Sequence, residues 1–265
     1  MSAASKRPLC VTLVYGGLGN QLFQIATGIA YSLAQSMDLR LAPLGSSNRP
    51  YYWDTLLQQL KDKVVTTIDS STTAYNASSF SYSPIPRYVS DVRMNGYFQS
   101  SKYFPTLRTT LQESLTFSPD TKPQILEKYG DLFTKRHVIV HARRGDYCAL
   151  SDFHCLQTDE YYAKARDYMV SVVPDPIFIL ISDDPDFWRT SHVFAGDSCV
   201  YFNESELLTF YLMTSLHHFI IANSTFSWWG AYLSEASHVV APRNWFGPKG
   251  PRDTQDLYEP SWVLM

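Results

Sequence analysis

The sequence predicts an α/β protein built on a parallel, doubly wound sheet, and three observations carry that prediction. Short β-branched runs recur along the second half at Val138-Ile139-Val140, Ile177 to Ile181 and Phe219 to Ala222. Each ends abruptly in polar residues: His141-Ala142-Arg143-Arg144-Gly145-Asp146, Ser182-Asp183-Asp184-Pro185 and Asn223-Ser224-Thr225. Helical stretches then follow, and strands alternating with helices are the signature of βαβ units.

Leu9 to Tyr15 reads as the first strand. Gly16-Gly17-Leu18-Gly19-Asn20-Gln21 turns it into an apolar helix from about Leu22 to Met37. Such a turn can offer backbone N–H groups to a phosphate, but its spacing is neither a dinucleotide fingerprint nor a P-loop, so a plain tight turn fits equally. Asn20 and Gln21 can cap the helix or touch a ligand. From Leu41 to Arg93, with Pro43, Pro50, Pro84 and Pro86, an irregular loop region is predicted, with one short helix near Asp54 to Leu60. Asn95 to Ser100 reads as a turn and short strand, Lys102 to Leu115 as helical, and Pro119 to Asp131 as a connecting helix. The boundary is set so that 1–125 and 126–265 form two domains.

In the second half Thr158 is the expected N-cap of a helix running to about Val172, with Asp159 and Glu160 in its first turn. A strand at Cys199 to Phe202, a helix from Ser205 to Leu216 and a last strand at Val239 to Pro242 complete the pattern. Trp228 and Trp229 are expected in the core.

The charged end of the Val138 strand is the chemical focus. In open α/β sheets ligands bind at the carboxyl ends of strands, and arginine's planar fork holds phosphate through parallel charge-assisted hydrogen bonds. Arg143 and Arg144 therefore point to a bound anion, and the alternative is a solvated loop in which they pair with Asp146. Asp183 and Asp184 either cap a helix or accept from a ligand's donors, such as guanine N1–H and N2–H. Ser224 and Thr225, entering a helix at a strand's end, form a second anion cradle.

Composition narrows the function classes. With 45% hydrophobic and 18% charged residues among 265, the chain is globular. Its formal charge of −3 gives no basic field for nucleic acid, so any anion must be recognised locally. The cysteines, Cys10, Cys148, Cys155 and Cys199, suit no disulfide framework, and Cys148, His154 and Cys155 lack a fourth metal ligand. The apolar segment after Met1 to Pro8 is too short for a membrane span and lacks a signal-peptide pattern. A cytoplasmic protein is expected, or a Golgi or membrane-associated one if an anchor was removed. The sequons at Asn76, Asn203 and Asn223 matter only in a secretory compartment.

Taken together, Gly16 to Gln24, Gly96 to Phe104, His141 to Tyr147, Ser182 to Pro185 and Asn223 to Trp229 resemble, in this order, the α-1,2-fucosyltransferases. Trp245-Phe246 and Asp256-Leu257-Tyr258 extend the likeness over almost the whole chain. The resemblance implies a GT-B architecture of two Rossmann-like domains facing a cleft, the first on the acceptor side and the second binding the donor. It also implies GDP-L-fucose as donor, a terminal galactose of a glycan as acceptor, inversion at the anomeric carbon, and neither metal nor cofactor. By the same likeness Arg143 holds the β-phosphate, His141 and Asp183 contact guanine, and Asn20, Ser224 and Thr225 line the pyrophosphate. Asp146 is the candidate base, with His154 and Glu206 as alternatives, and a loose transition state that needs no strong base is the further alternative. Ala142 and Tyr232 depart from the family's pattern, as does the compact stretch from Leu41 to Arg93. Transfer of another GDP-sugar, or a non-catalytic nucleotide- or sugar-binding module, remains open.

Overall fold

The computed structural model describes residues 6–45 and 49–265. Residues 1–5 of the N-terminal segment and 46–48 of the stretch read as irregular lie outside them. The chain divides into two compact units, Met1–Thr116 with Asp253–Leu257, and Phe117–Arg252 with Tyr258–Met265. Each holds one fully parallel sheet.

The first unit runs β1 (Leu9–Val14), α1 (Leu18–Gln35), β2 (Asp38–Pro43), β3 (Thr73–Asn76), β4 (Val92–Asn95) and α2 (Arg108–Ser114). Its strand order is β2-β1-β4-β3. Alternation along β1 sends Val11 and Leu13 to a cluster with Ala42, and Cys10 to one with Tyr31 of α1 and Met94 of β4. Helix α1 begins at Leu18 rather than Leu22, because the Gln21 amide already donates to Gly17 O at 3.0 Å. Gly16, at φ +84°, makes the turn ahead of it.

Several sequence expectations for this unit need correction. Strands β2 and β3 lie in or against the stretch read as irregular, and the short helix there is a 3₁₀ turn at Gln58–Lys63. Edge strand β3 is mostly exposed, so it has no apolar run to betray it. The strand placed at Asn95 to Ser100 ends at Asn95, and the predicted Lys102 to Leu115 helix divides into a 3₁₀ turn at Ser101–Tyr103 and α2. Pro105 enforces that break by removing a donor and excluding Phe104 from helical geometry.

The second unit follows the predicted pattern closely. It comprises α3 (Thr121–Tyr129), β5 (His137–Ala142), α4 (Gly145–Ala149), α5 (Asp159–Val172), β6 (Ile177–Ser182), α6 (Phe187–Thr190), β7 (Cys199–Tyr201), α7 (Glu206–Thr214), β8 (His218–Ile220), α8 (Thr225–Leu233), β9 (His238–Ala241) and β10 (Val263–Leu264). Strand order is β10-β9-β8-β5-β6-β7. Every residue of β5 is buried, and Val138, Val140 and Ala142 pack on Tyr161, Tyr162, Ala165 and Met169 of α5. Thr158 caps α5, its hydroxyl accepting from the Tyr161 amide at 3.4 Å. Trp228 and Trp229 are both fully buried, as expected. Helix α3 belongs wholly to this unit, where the Lys128 ammonium and the Tyr129 hydroxyl both bond to Glu204.

This order positions the site. From β5 the chain steps outward through β6 and β7, then returns to β8 on the other side of β5 and continues to β9 and β10. The connections therefore diverge between β5 and β8, and the carboxyl ends of strands at such a divergence are where open α/β sheets bind ligands. In the first unit the same divergence falls between β1 and β4. Among the described residues no helix is long and apolar enough to cross a membrane.

Candidate active site

Three turns, after β5, β6 and β8, meet at the carboxyl edge of the second sheet. Arg143 leaves β5 with its Nη2 2.6 Å from Asp146 Oδ1 and its Nη1 3.0 Å from Asp183 Oδ2. The other oxygen of Asp183 accepts the Arg144 amide at 2.7 Å. Two carboxylates thus fix the plane of one guanidinium, and Asp183 also ties down the backbone beside it. Arg143 further lies over the Tyr147 ring at 5.3 Å, a cation–π contact. The Arg144 side chain turns elsewhere: its guanidinium sits over Phe187 at 4.5 Å and donates to Gln157 O at 3.2 Å. Of the adjacent arginines, only Arg143 has its charge set between acids.

The two aspartates after β6 have separate partners. Asp183 serves the arginine loop, whereas Asp184 accepts the Asp186 amide at 3.1 Å and so shapes its own turn. After β8, Ser224 is the N-cap of α8, but its side chain makes no cap bond. Thr225 opens that helix, whose amides point to the carboxyl edge of the sheet. Asn20 lies in the first unit, where its Oδ1 accepts from Gln99 Nε2 at 3.0 Å. Glu206 is in the first turn of α7. His154 stacks on Tyr147 with ring centroids 3.9 Å apart.

His141 is the next-to-last residue of β5 and is 5% exposed. Burial, aided by the nearby Arg143 charge, pushes its pKa from 6.5 to about 3, so the ring is neutral. Its Nδ1 is buried with no hydrogen-bond partner among the described residues. The unfolded chain takes up this proton near its ordinary pKa and the folded chain only near the depressed one. Stability is therefore complete above the ordinary value and falls as pH drops through the window between them. Burial lowers the pKa of His137, His154 and His218 as well, with the same sign. The urea midpoint should fall between about pH 7 and about pH 5, and His141→Asn should flatten that fall. An equally steep fall in the variant would remove His141 from the effect.

Sequence reasoning missed the residues that hold these turns in place. Asn223 is 2% exposed, donates to Trp245 O at 2.8 Å and accepts from Gln157 Nε2 at 3.2 Å. Its carbonyl accepts the Tyr147 hydroxyl at 3.2 Å, which joins the arginine loop to the start of α8. Tyr161 donates to Ile221 O at 2.6 Å and Tyr162 to His141 O at 3.2 Å, so adjacent residues of α5 pin the ends of β8 and β5. Desolvation drives both phenol pKa values upward and keeps them as donors. Two adjacent tyrosines after an N-cap are the only signal the sequence offered, and it does not separate this role from core packing.

Known proteins resemble this chain over nearly its whole length. An α-1,2-colitosyltransferase of Escherichia coli is 27% identical over 96% of this chain and 98% of its own length. Galactoside 2-α-L-fucosyltransferase SEC1 of Bos taurus is 26% identical over 94% of this chain and 71% of its own. Among solved structures, NodZ α-1,6-fucosyltransferase soaked with GDP-fucose matches with a TM-score of 0.58 at 13% identity, over 88% of this chain and 94% of that one. At that identity the likeness shows the fold, which is GT-B. Residues 4–265 match the model of glycosyl transferase family 11, and the chain belongs to that family.

Proposed function

We propose that the protein transfers L-fucose from GDP-L-fucose to the 2-hydroxyl of a terminal galactose on a glycan. The observation that carries this reading is the guanidinium of Arg143, fixed by Asp146 and Asp183 at the point where the second sheet's connections diverge. Breaking the bond to fucose leaves negative charge on the β-phosphate of GDP. A preorganised cation beside the amides of α8 stabilises that charge where it develops, without reorganising as it forms. In this scheme Ser224 and Thr225 supply hydroxyl and backbone donors to the pyrophosphate. The unpartnered Nδ1 of His141 meets the base. Each oxygen of Asp183 keeps a lone pair beyond its present bond, enough to accept guanine N1–H and N2–H. Arg144 and Asp184 support the loops rather than the ligand, and the place of Asn20 rests on the family resemblance alone.

The role of Asp146 follows from direction. A displacement that inverts the anomeric carbon brings the acceptor hydroxyl in opposite the departing phosphate. A carboxylate bonded to the phosphate-binding guanidinium lies on the leaving-group side. Asp146 is therefore assigned to orienting Arg143, and deprotonation of the acceptor is left to a group on the other face. No metal or cofactor is given a step in this scheme.

The names of the relatives support the substrate class, and one of them supports a second donor. The colitosyltransferase aligns with nearly the full length of both chains, so a GDP-linked deoxyhexose other than fucose is the alternative. The deciding experiment is GDP release by the purified protein from GDP-L-fucose in EDTA, with a panel of galactose-terminated acceptors. Acceptor-dependent release is expected, with GDP-L-fucose outcompeting other GDP-sugars. Preference for another GDP-sugar would move the assignment to the alternative donor, and absence of release with every pair would overturn both.

A further inference from the structure

The block Gly96 to Phe104 has no role in the scheme above, and the structure gives its first aromatic residue a distinctive setting. Strand β4 ends at Asn95 beside β1, where the connections of the first sheet diverge. Just past that end Tyr97 is 40% exposed. Tyr15, leaving β1, meets its ring in a T-shaped contact at 5.3 Å, and Phe80 stacks on it at 6.0 Å. The Tyr15 hydroxyl donates to Asn95 Oδ1 at 3.2 Å, and Asn95 Nδ2 donates to Asn76 Oδ1 at 2.9 Å. An exposed ring is thus braced by two others, next to a short chain of amides.

Phe98 explains how the ring stays outside. Its φ is +51°, the left-handed region that bulky residues rarely adopt. Its side chain is 4% exposed, stacked with Tyr75 at 6.4 Å and edge-on to Tyr103 at 5.3 Å. The strained turn sends Phe98 into the core and leaves Tyr97 on the surface, at the sheet edge where ligands of α/β proteins bind. Backbone outliers of this kind collect at ligand sites.

A rigid aromatic face with amides at its rim suits a pyranose. In galactose the axial 4-hydroxyl leaves one face of C–H groups at C3, C4 and C5, which covers an aromatic ring while the hydroxyls reach polar groups at its edge. We propose that Tyr97, braced by Tyr15 and Phe80, is the stacking surface for the galactose unit of the acceptor, with Asn76 and Asn95 near its hydroxyls. This assignment rests on the reading of the protein as a galactoside-modifying transferase.

Its test is a set of variants of the full chain. Tyr97→Ala should raise KM for the galactose-terminated acceptor about tenfold or more, with KM for GDP-L-fucose unchanged, and Tyr97→Trp should keep acceptor KM near the original. A second readout needs no turnover. Saturation-transfer NMR with methyl β-D-galactoside should give a signal with the original protein and with Tyr97→Phe, and none with Tyr97→Ala. Unchanged acceptor KM, equal rises for donor and acceptor, or an NMR signal that survives Tyr97→Ala would each overturn the platform. If the original protein releases no GDP from any donor and acceptor, the transferase reading fails, and the NMR comparison still decides whether Tyr97 binds galactosides.

Discussion

Arg143→Ala should lower kcat/KM for GDP-L-fucose by the equivalent of about 2–4 kcal/mol, the loss that follows removal of one preorganised donor aimed at developing charge. The size follows from placement. The guanidinium is anchored by two carboxylates and by the Tyr147 ring, so its orientation is set before substrate arrives and little is spent ordering it. The fold should survive, since the side chains of Asp146 and Asp183 are 44% and 25% exposed and can hydrate once their partner is gone. The loss should appear in the chemical step as well as in donor binding, because charge on the β-phosphate is greater in the transition state than in the ground state. A variant with near-normal kcat/KM and an unchanged melting temperature would end the phosphate role of Arg143.

What the sequence could and could not reveal follows from burial. Strands β5 and β6, covered on both faces, are nearly unbroken apolar runs, and their sudden polar ends mark the carboxyl edge that carries the turns. The same feature made Arg143 and Asp183 visible as candidates. Strand β3 escaped notice for the opposite reason, since an exposed edge strand has no pattern to separate it from a loop. The partnerships inside the site were hidden as well. Nothing in the local sequence says that Asp183 bonds to the backbone of Arg144, or that Gln157 reaches Asn223, because such contacts are created by the order of strands. Adjacent residues also took different tasks: Arg144 and Asp184 share the charge of their neighbours, yet their side chains serve Gln157 O and the Asp186 amide.

Gly145→Ala tests that hidden architecture, with an expected loss of about 10- to 100-fold in kcat/KM, the scale for a catalytic group displaced by about 1 Å. Gly145 is the first residue of α4, so its backbone is helical and alanine there costs nothing in φ and ψ. By propensity alone the change stabilises the helix by roughly 0.5–1 kcal/mol. Space opposes it. A Cβ on Gly145 would lie 2.4 Å from Asp183 Oδ2, the oxygen that holds Arg143 Nη1 at 3.0 Å. To admit the methyl group Asp183 must rotate, and rotation loosens both its ion pair with Arg143 and its bond from the Arg144 amide. Activity should therefore fall while the melting temperature holds or rises, a divergence that general damage to the fold does not produce. Adding Asp183→Ala removes the clash and the clamp together. If the glycine acts through Asp183, the double variant should be no worse than Asp183→Ala alone, because the two changes disable one device. Losses that multiply would mean that Gly145 leaves Asp183 where it is and acts on activity by another route.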